Sequence, residues 1–361
     1  MRIDQFLPDF APHDAIGNHV LQLRRVLRDA GYESDIWADI IHPPVARQAR
    51  HYREHPSVRP GAGDLALYHA STYSDMAGWL AARAGAGDRL VVYYHNITPA
   101  EYFARWEPVA AEGCGRARRE LASLAPSTEL AMAASAYNQA ELLDTGYRST
   151  VVSPLLVDLD EYHAAPDSRA VARHRARGGT RWLFVGRLAP NKCQHDVIGA
   201  FAAYRRAFDP AARLVLAGAP ASARYLRALE RLVADLELGD SVELPGGVPF
   251  GELVAQFASA DVFVCCSEHE GFCVPLIEAM ELGVPVVAYA AAAIPETVGD
   301  AGVLLEDKDP LTVAVAVGSL LSDRERRESL VRAGRARAGS FSLPLTSKQF
   351  LGHLDAHLRG S

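Results

Sequence analysis

The chain has 361 residues, is 49% hydrophobic and 22% charged, and carries a net charge of −7 at pH 7. This length exceeds what one hydrophobic core usually serves, so we expect two domains. The acidic balance argues against a nucleic-acid-binding protein. No apolar run approaches the 18 residues that a membrane-spanning helix needs, and the N-terminus lacks the layout of a signal peptide. We therefore expect a cytoplasmic protein.

The five cysteines include no C-x-x-C pair, which favours reduced thiols and agrees with a cytoplasmic location. One local basic segment, residues 104–121, holds four arginines. It has two interpretations, a solvated helix face or a surface that docks on anionic lipid or on acceptor phosphates. Peripheral contact with the inner face of the membrane therefore stays open as a prediction.

Short apolar runs alternate with longer amphipathic ones along the chain, which is typical of parallel α/β folds. In the first half, residues 17–31 have the apolar spacing of a helix that ends at a glycine. The strands predicted for this half are residues 1–7, 32–38, 64–70, 89–96, 127–135 and 149–155.

The same pattern restarts in the second half. The predicted strands are residues 180–187, 212–219, 241–247, 261–267, 284–290 and 301–306. Helices are predicted at residues 193–208, 223–238, 250–260 and 274–283, and further helices from Pro310 onwards.

The stretch between residues 162 and 181 shows little periodicity, so we predict the domain boundary near residue 165. The predicted organisation is an N-terminal domain at 1–165, a C-terminal domain at 166–345 and a final helix at 346–361. We expect two doubly wound parallel-sheet units with a cleft between them.

In such sheets, ligands bind beyond the carboxyl ends of the strands. In "VGRLAPNK", Arg187 and Lys192 directly follow a predicted strand. Arg as a planar fork and Lys as a point charge could together hold a diphosphate. The two cations predict an anion-binding site at this edge of the sheet.

The stretch "SEHEGFCVPLIEAM", residues 267–280, follows another strand and crowds carboxylates at the start of a helix. A phosphate would be repelled by Glu270 and Glu278, whereas hydroxyl groups can donate to them. The backbone N–H groups of Gly271, Phe272 and Cys273, with the helix start, can face phosphates or a sugar. The site would therefore hold phosphates and hydroxyls side by side, and a nucleotide sugar carries both.

Three segments resemble retaining glycosyltransferase family 4. "EHEGFCVPLIEAMELGVPVVA" is similar to its E-x7-E signature, "FVGRLAPNK" to its diphosphate-binding Arg and Lys, and "DAIGNHV" to its N-terminal glycine loop. The resemblance implies the GT-B fold, with two facing Rossmann-like domains. It also implies a donor held by the C-terminal domain and an acceptor held mainly by the N-terminal one.

The resemblance assigns roles residue by residue. Glu278 would bind the ribose and Glu270 the hydroxyls of the donor sugar. Arg187 and Lys192 would neutralise the diphosphate, and Gly17 would let the backbone approach it.

The resemblance also places a histidine near the donor sugar. His95, at the end of a predicted strand, is the candidate, and His69 competes for that role. Two departures from the family pattern stand out. Cys273 replaces a glycine that is common in the family, and Gly17 stands alone where a glycine pair is common.

These features predict a retaining, metal-independent transferase that moves a hexose from a GDP- or UDP-linked donor to a glycan, lipid-linked or small-molecule acceptor, without a cofactor. A non-catalytic nucleotide-sugar-binding protein of the same fold is the alternative. A dinucleotide-dependent oxidoreductase is disfavoured because no G-x-G-x-x-G follows a strand. The Asp-x-Asp sequences at 158–160 and 307–309 are interpreted as surface turns, not metal sites.

Overall fold

The apolar runs of the sequence form the strands of two parallel sheets. The computed structural model describes residues 1–12, 14–56, 64–163 and 166–360. The chain divides into two units. Unit 1 comprises Met1–Glu101, Pro108–Asp158 and Phe341–Ser361, and unit 2 comprises Tyr102–Glu107 and Leu159–Ser340. Residue 165, the predicted boundary, lies outside the described residues.

Unit 1 holds a parallel sheet of seven strands in its described part. These are β1 (Ile3–Phe10), β2 (Ile36–Ile41), β3 (Arg50–His51), β4 (Leu65–Ala70), β5 (Arg89–Tyr94), β6 (Leu130–Ala133) and β7 (Thr150–Val152). They lie in the order β3-β2-β1-β4-β5-β6-β7. The first helices of the chain are α1 (Ala15–Asp29), α2 (Met76–Gly85), α3 (Glu101–Ala104), α4 (Pro108–Leu124) and α5 (Ala136–Asp144).

Unit 2 repeats this plan with six parallel strands among its described residues. They are β8 (Arg181–Val185), β9 (Arg213–Ala217), β10 (Val242–Gly246), β11 (Val262–Cys265), β12 (Val286–Tyr289) and β13 (Val303–Leu305), in the order β10-β9-β8-β11-β12-β13. The helices are α6 (Ser168–Arg175), α7 (Gln194–Ala207), α8 (Ala223–Asp235), α9 (Phe250–Ser259), α10 (Val274–Glu281), α11 (Ile294–Val298), α12 (Pro310–Ser322) and α13 (Arg324–Gly339).

In both sheets the direction of strand addition reverses once, between β1 and β4 in unit 1 and between β8 and β11 in unit 2. Ligands of doubly wound folds bind beyond the strand ends at this switch point. The predicted site residues of the second half follow β8 and β11, whereas His69 lies on β4 and His95 directly follows β5.

Helix α6 lies in the stretch between residues 162 and 181, where the low periodicity of the sequence predicts no helix. Asp167 caps the helix by accepting from the amides of Arg169 at 2.9 Å and Ala170 at 3.3 Å. Its buried side consists of Ala170 and His174 alone. One small apolar residue and one histidine leave no apolar period to detect.

The last helix, α14 (Leu343–Gly360), belongs to unit 1. Its side chains Phe350 and Leu354 are buried. The hydroxyl of Tyr32 donates to Asp355 at 3.2 Å, which fixes α14 beside the end of α1. The C-terminal segment thus completes the unit in which the chain begins.

Candidate functional site

The loop after β8 is shaped by two glycines. Gly186 and Gly218 both have positive φ, +146° and +154°. A Cβ on Gly218 would lie 2.0 Å from the carbonyl oxygen of Gly186, so the ends of β8 and β9 can approach only without a side chain there. Arg187 follows immediately, is exposed, and forms no ion pair within the described part of the chain. Its guanidinium is therefore available to an anion.

Lys192 and Glu270, which come from the two loops at the switch point of unit 2, form an ion pair. Glu270 is buried, and one fifth of the Lys192 side chain is exposed. Burial lowers the pKa of Lys192, but the attraction of Glu270 outweighs it and the pKa ends above its ordinary value. The structure thus brings together one predicted phosphate ligand and one predicted sugar ligand.

Asn191 ties these two loops to each other, a role that the sequence analysis missed. Its side-chain amide donates to the backbone carbonyl of His269 at 3.0 Å. Its backbone carbonyl accepts from the backbone amide of Glu268 at 2.9 Å. Both bonds cross from the β8 loop to the β11 loop. The position of Lys192 relative to Glu270 is therefore held by the backbone as well as by charge.

Glu268, the first of the three glutamates, has a different partner. Lys308 binds Glu268 at 2.5 Å and Asp196 at 2.6 Å. Burial lowers the pKa of Lys308. Its hydrogen bonds to these two carboxylates raise the pKa by more than burial lowers it, so the net shift is upward. The Asp307–Asp309 turn carries this lysine, which the sequence analysis did not single out as a site residue.

Glu278 lies in α10, is buried and has no cationic partner among the described residues. The hydroxyl of Tyr162 donates to Oε1, while Oε2 is buried without a hydrogen-bond partner. Burial raises the pKa of this carboxyl to about 7, against the opposing effect of the Tyr162 hydrogen bond. A buried acceptor without a donor is the atom that a ligand hydroxyl would satisfy.

Cys273 precedes α10 in a left-handed conformation, with φ of +68°. Glycine adopts this conformation without the steric cost that a Cβ brings, so the cysteine stands where glycine would be unstrained. Sulfur atoms of Cys265 and Cys273 and a carboxylate oxygen of Glu270 lie within 4.8 Å of one another. Phe272 is buried and Gly271 half-buried, and the carbonyl of Phe272 accepts from the Thr297 hydroxyl.

The local structure of unit 1 explains why residue 17 is a glycine. Its amide donates to Asp14, which caps α1, at 3.1 Å. A Cβ at this position would lie 2.7 Å from the carbonyl oxygen of Ala11. The glycine therefore permits α1 to start close to the end of β1.

The two candidate histidines contact each other, with His69 Nδ1 2.9 Å from His95 Nε2. His19 packs edge-on against both rings. Burial lowers the pKa of each, to about 3 for His19, so all three rings are neutral at pH 7. His19 was not singled out from the sequence, because it sits inside a helical apolar pattern.

Two of the four arginines in the basic segment of residues 104–121 form ion pairs with acidic residues of the protein. Arg116 pairs with Asp75 at 2.5 Å, and Arg118 pairs with Glu141 at 3.0 Å. Arg105 and Arg119 are exposed. Among the described residues, none of the helices combines the length and the hydropathy required to cross a bilayer.

Residues 173–337 match the family of glycosyl transferases group 1. This match covers somewhat less than half of the chain. The matched segment contains Arg187, Lys192, Glu270 and Glu278. The fold class of the whole chain, two Rossmann-like parallel-sheet units, is GT-B.

Curated relatives match about half of the chain. A GDP-mannose-dependent alpha-(1-6)-phosphatidylinositol monomannoside mannosyltransferase of Mycobacterium tuberculosis is 37% identical over 190 residues, 50% of this chain and 48% of the relative. A D-inositol 3-phosphate glycosyltransferase of Geodermatophilus obscurus is 37% identical over 206 residues, 54% and 44% of the two chains. The chain thus spans about half the length of these relatives.

Solved structures extend the likeness to the whole chain at the level of the fold. Anabaena HepE in complex with UDP aligns over 99% of this chain and 100% of its own, with a TM-score of 0.78 and 18% identity. Sucrose-phosphate synthase from Thermosynechococcus elongatus aligns over 100% of both chains, with a TM-score of 0.78 and 20% identity.

Proposed function

We propose that this protein transfers a hexose from a nucleoside-diphosphate sugar to a hydroxyl acceptor. The observation that carries the proposal is the charge arrangement at the switch point of unit 2. An exposed arginine, a lysine shared with a carboxylate, and a buried glutamate with a free acceptor atom occur in one matched domain. A donor that carries both phosphates and hydroxyls supplies a partner to each of them.

In the proposed complex, Arg187 and Lys192 contact the diphosphate. Lys192 remains close to Glu270, so the same pair can hold a phosphate oxygen on one side and a sugar hydroxyl on the other. Glu278 Oε2 accepts from the ribose. As the glycosidic bond breaks, charge grows on the departing diphosphate, and the preorganised cations stabilise it more than they stabilise the bound donor.

We propose retention at the anomeric carbon and no requirement for a divalent metal. Cations of the chain, with the start of α10, can supply the charge that Mg²⁺ or Mn²⁺ supplies in metal-dependent transferases. A double displacement needs a carboxylate that attacks the anomeric carbon as a nucleophile. Glu270 is paired with Lys192, which leaves it poorly placed for that attack. A front-face route, in which the departing phosphate takes the acceptor proton, fits this arrangement.

GDP-mannose and UDP-hexoses are the donors to test first. The curated relative named above is GDP-mannose-dependent, and the Anabaena protein was solved with UDP-glucose. Acceptors fall in the classes of glycans, glycolipids and small polyols. These names belong to the relatives and guide only the choice of probes.

The test is a panel of nucleoside diphosphates and their sugars scored by thermal shift, followed by assays of donor hydrolysis and transfer. A bound ligand raises the melting temperature by mass action. We expect stabilisation by one nucleotide, product with the anomeric configuration of the donor, and full activity in EDTA. Binding without any turnover over an acceptor panel would favour the non-catalytic alternative. Activity lost in EDTA and restored by Mn²⁺ would contradict metal independence.

A further inference from the structure

A chain of three buried polar side chains runs through the switch point of unit 1. Gln5 Oε1 lies 3.1 Å from His69 Nε2, and His69 Nδ1 lies 2.9 Å from His95 Nε2. Gln5 and His69 have no exposed surface, and His95 is 9% exposed. The chain therefore begins in the core on β1 and ends at the residue that follows β5.

Hydrogen-bond chemistry fixes where each proton in this chain resides. The amide nitrogen of Gln5 donates to the Val20 carbonyl at 3.2 Å, so its oxygen faces His69. An amide oxygen only accepts, and His69 must therefore carry its proton on Nε2. The neutral His69 ring then has a lone pair on Nδ1, and His95 must carry its proton on Nε2 in order to donate to it.

This sequence of bonds leaves His95 Nδ1 as an acceptor. That atom is buried and has no hydrogen-bond partner in the structure. It is the only polar ring atom of His95 that the hydrogen bonds of the described residues do not use. A polar contact between His95 and a ligand must consequently be one in which the ligand donates.

The surroundings keep His95 neutral, which preserves this acceptor. Its ring stacks on Tyr93 at 4.7 Å and meets His19 and His69 at 5.2 and 5.1 Å. The hydroxyl of Tyr93 donates to the carbonyl of Pro154 at 3.0 Å and to that of Ser153. Burial is the main cause of the lowered pKa of His95, and the proximity of His69 and His19 lowers it further, because protonating neighbouring rings together is unfavourable.

A metal ion fits this cluster poorly, although one nitrogen of each of His19, His69 and His95 lies within 4.8 Å of the others. The amide of Leu156 donates to His19 Nδ1 at 2.9 Å. A neutral His19 must therefore hold its proton on Nε2, and it has no lone pair left for a metal. The hydrogen bonds instead favour an organic ligand.

We propose that Gln5 and His69 are positioning residues that hold His95 as the Nε2–H tautomer, so that His95 Nδ1 accepts a hydrogen bond from a substrate hydroxyl. The proposal rests on the proposed function for the existence of that substrate. The hydroxyl belongs either to the sugar being transferred or to the acceptor, and the two sources separate in the assay. Loss of both donor hydrolysis and transfer identifies the sugar, and loss of transfer alone identifies the acceptor.

The first test compares Gln5→Leu with Gln5→Glu. Leucine removes the acceptor, so the tautomer is no longer fixed and kcat falls about tenfold with little change in KM. Glutamate keeps the acceptor but raises the pKa of His69. Below that pKa, His69 donates through Nδ1 and drives the His95 proton onto Nδ1, where it blocks the acceptor.

The kcat of Gln5→Glu divided by that of the wild type should therefore be close to one at high pH and fall as pH decreases. The ratio cancels the ionisation of Glu278, which both proteins share. Asp4→Asn is the matched control, because Asp4 is the adjacent buried residue on β1 and bonds to His55 at 2.9 Å instead. It should lower stability and leave the ratio independent of pH. A pH-independent ratio for Gln5→Glu, or unchanged kcat for Gln5→Leu, would overturn the proposal.

The second test needs no turnover and so is separate from the proposed function. Histidine-selective ¹⁵N NMR at pH 7 should show neutral His69 and His95, both protonated on Nε2, with assignments from His69→Asn and His95→Asn. In Gln5→Leu, His69 and His95 should no longer both be protonated on Nε2 alone. Wild-type His95 protonated on Nδ1, or charged at pH 7, would refute the hydrogen-bond chain even if transfer is observed.

Discussion

The two units have the same kind of doubly wound parallel sheet, but the side chains at the switch point are charged in unit 2 and neutral in unit 1. In unit 2, the residues after β8 and β11 are charged, and Lys192 with Glu270 forms an ion pair at the strand ends. In unit 1, the residues on β4 and after β5 are neutral imidazoles linked to an amide. The comparison teaches that the topology specifies where a ligand can bind, whereas the side chains specify which part of it binds there.

The energetic consequences differ in the same way. A buried ion pair is costly to break from one side, because the remaining charge stays desolvated. A neutral hydrogen-bond chain costs less to break and acts through the placement of protons. The following predictions change the charged residues of unit 2, from the largest expected effect to the smallest.

Lys192→Met should be the most damaging single change. It leaves the buried Glu270 carboxylate without its cation, which typically costs about 3–5 kcal/mol of folding free energy. The double variant Lys192→Met/Glu270→Gln removes both charges and should recover most of that stability without recovering transfer. Chemical denaturation of the four members of the cycle measures the coupling. Additive losses would mean that the pair is not formed in solution.

Glu278→Gln should stabilise the protein at high pH. The folded pKa of Glu278, about 7, exceeds its ordinary value of 4.5, so its ionisation opposes folding. The resulting penalty is absent below pH 4.5, grows as pH rises to about 7 and is constant above that, at on the order of 3 kcal/mol. We expect the stability difference between Glu278→Gln and wild type to widen over this window. Parallel curves of unfolding free energy against pH would contradict the buried, unpaired state of this acid.

Arg187→Ala should separate function from folding. Because Arg187 is exposed and unpaired in the described structure, the melting temperature should not change. A lost charge-assisted bond of about 1.5–3 kcal/mol should lower kcat/KM for the donor about tenfold to a hundredfold, with part of the loss in kcat. Arg324→Ala, which removes an exposed arginine that pairs with Glu328, is the charge-matched control. Equal donor kinetics in the two variants would remove Arg187 from the site.

Glu270→Gln should have the smallest effect on nucleotide binding, and its sign is informative. The substitution frees Lys192 from its carboxylate, so the affinity for a free nucleoside diphosphate should rise by a few-fold while transfer falls. Isothermal titration with the diphosphate and an assay of transfer give the two numbers. A large loss of diphosphate affinity would place Glu270 on the nucleotide instead of the sugar.

The sequence supports most of the fold and the charged half of the site. Alternating apolar runs predict two parallel sheets, and strand-end positions single out Arg187, Lys192, Glu270 and Glu278, because both signals are local. The pairing of Tyr162 with Glu278 spans 116 residues, and no local pattern encodes it.

Other missed features have similar causes. Lys308 lies in a turn whose acidic neighbours suggest an ordinary surface loop. Gln5 is a buried polar residue in a strand that consists mostly of buried residues. His19 has the spacing of a core residue in α1. Side chains that act only through a distant partner give no signal until the fold brings the partners together.

The central claim is that a nucleoside diphosphate binds at the switch point of unit 2 with its ribose on Glu278. Calorimetric titration at pH 8, where Glu278 is ionised, can compare GDP and UDP with their 2′,3′-dideoxy forms. The wild type should bind the ribose form of its nucleotide about tenfold to a hundredfold more tightly than the dideoxy form, and Glu278→Gln should lose that preference. Equal affinity of the wild type for both forms, or a preference that survives in Glu278→Gln, would contradict the account.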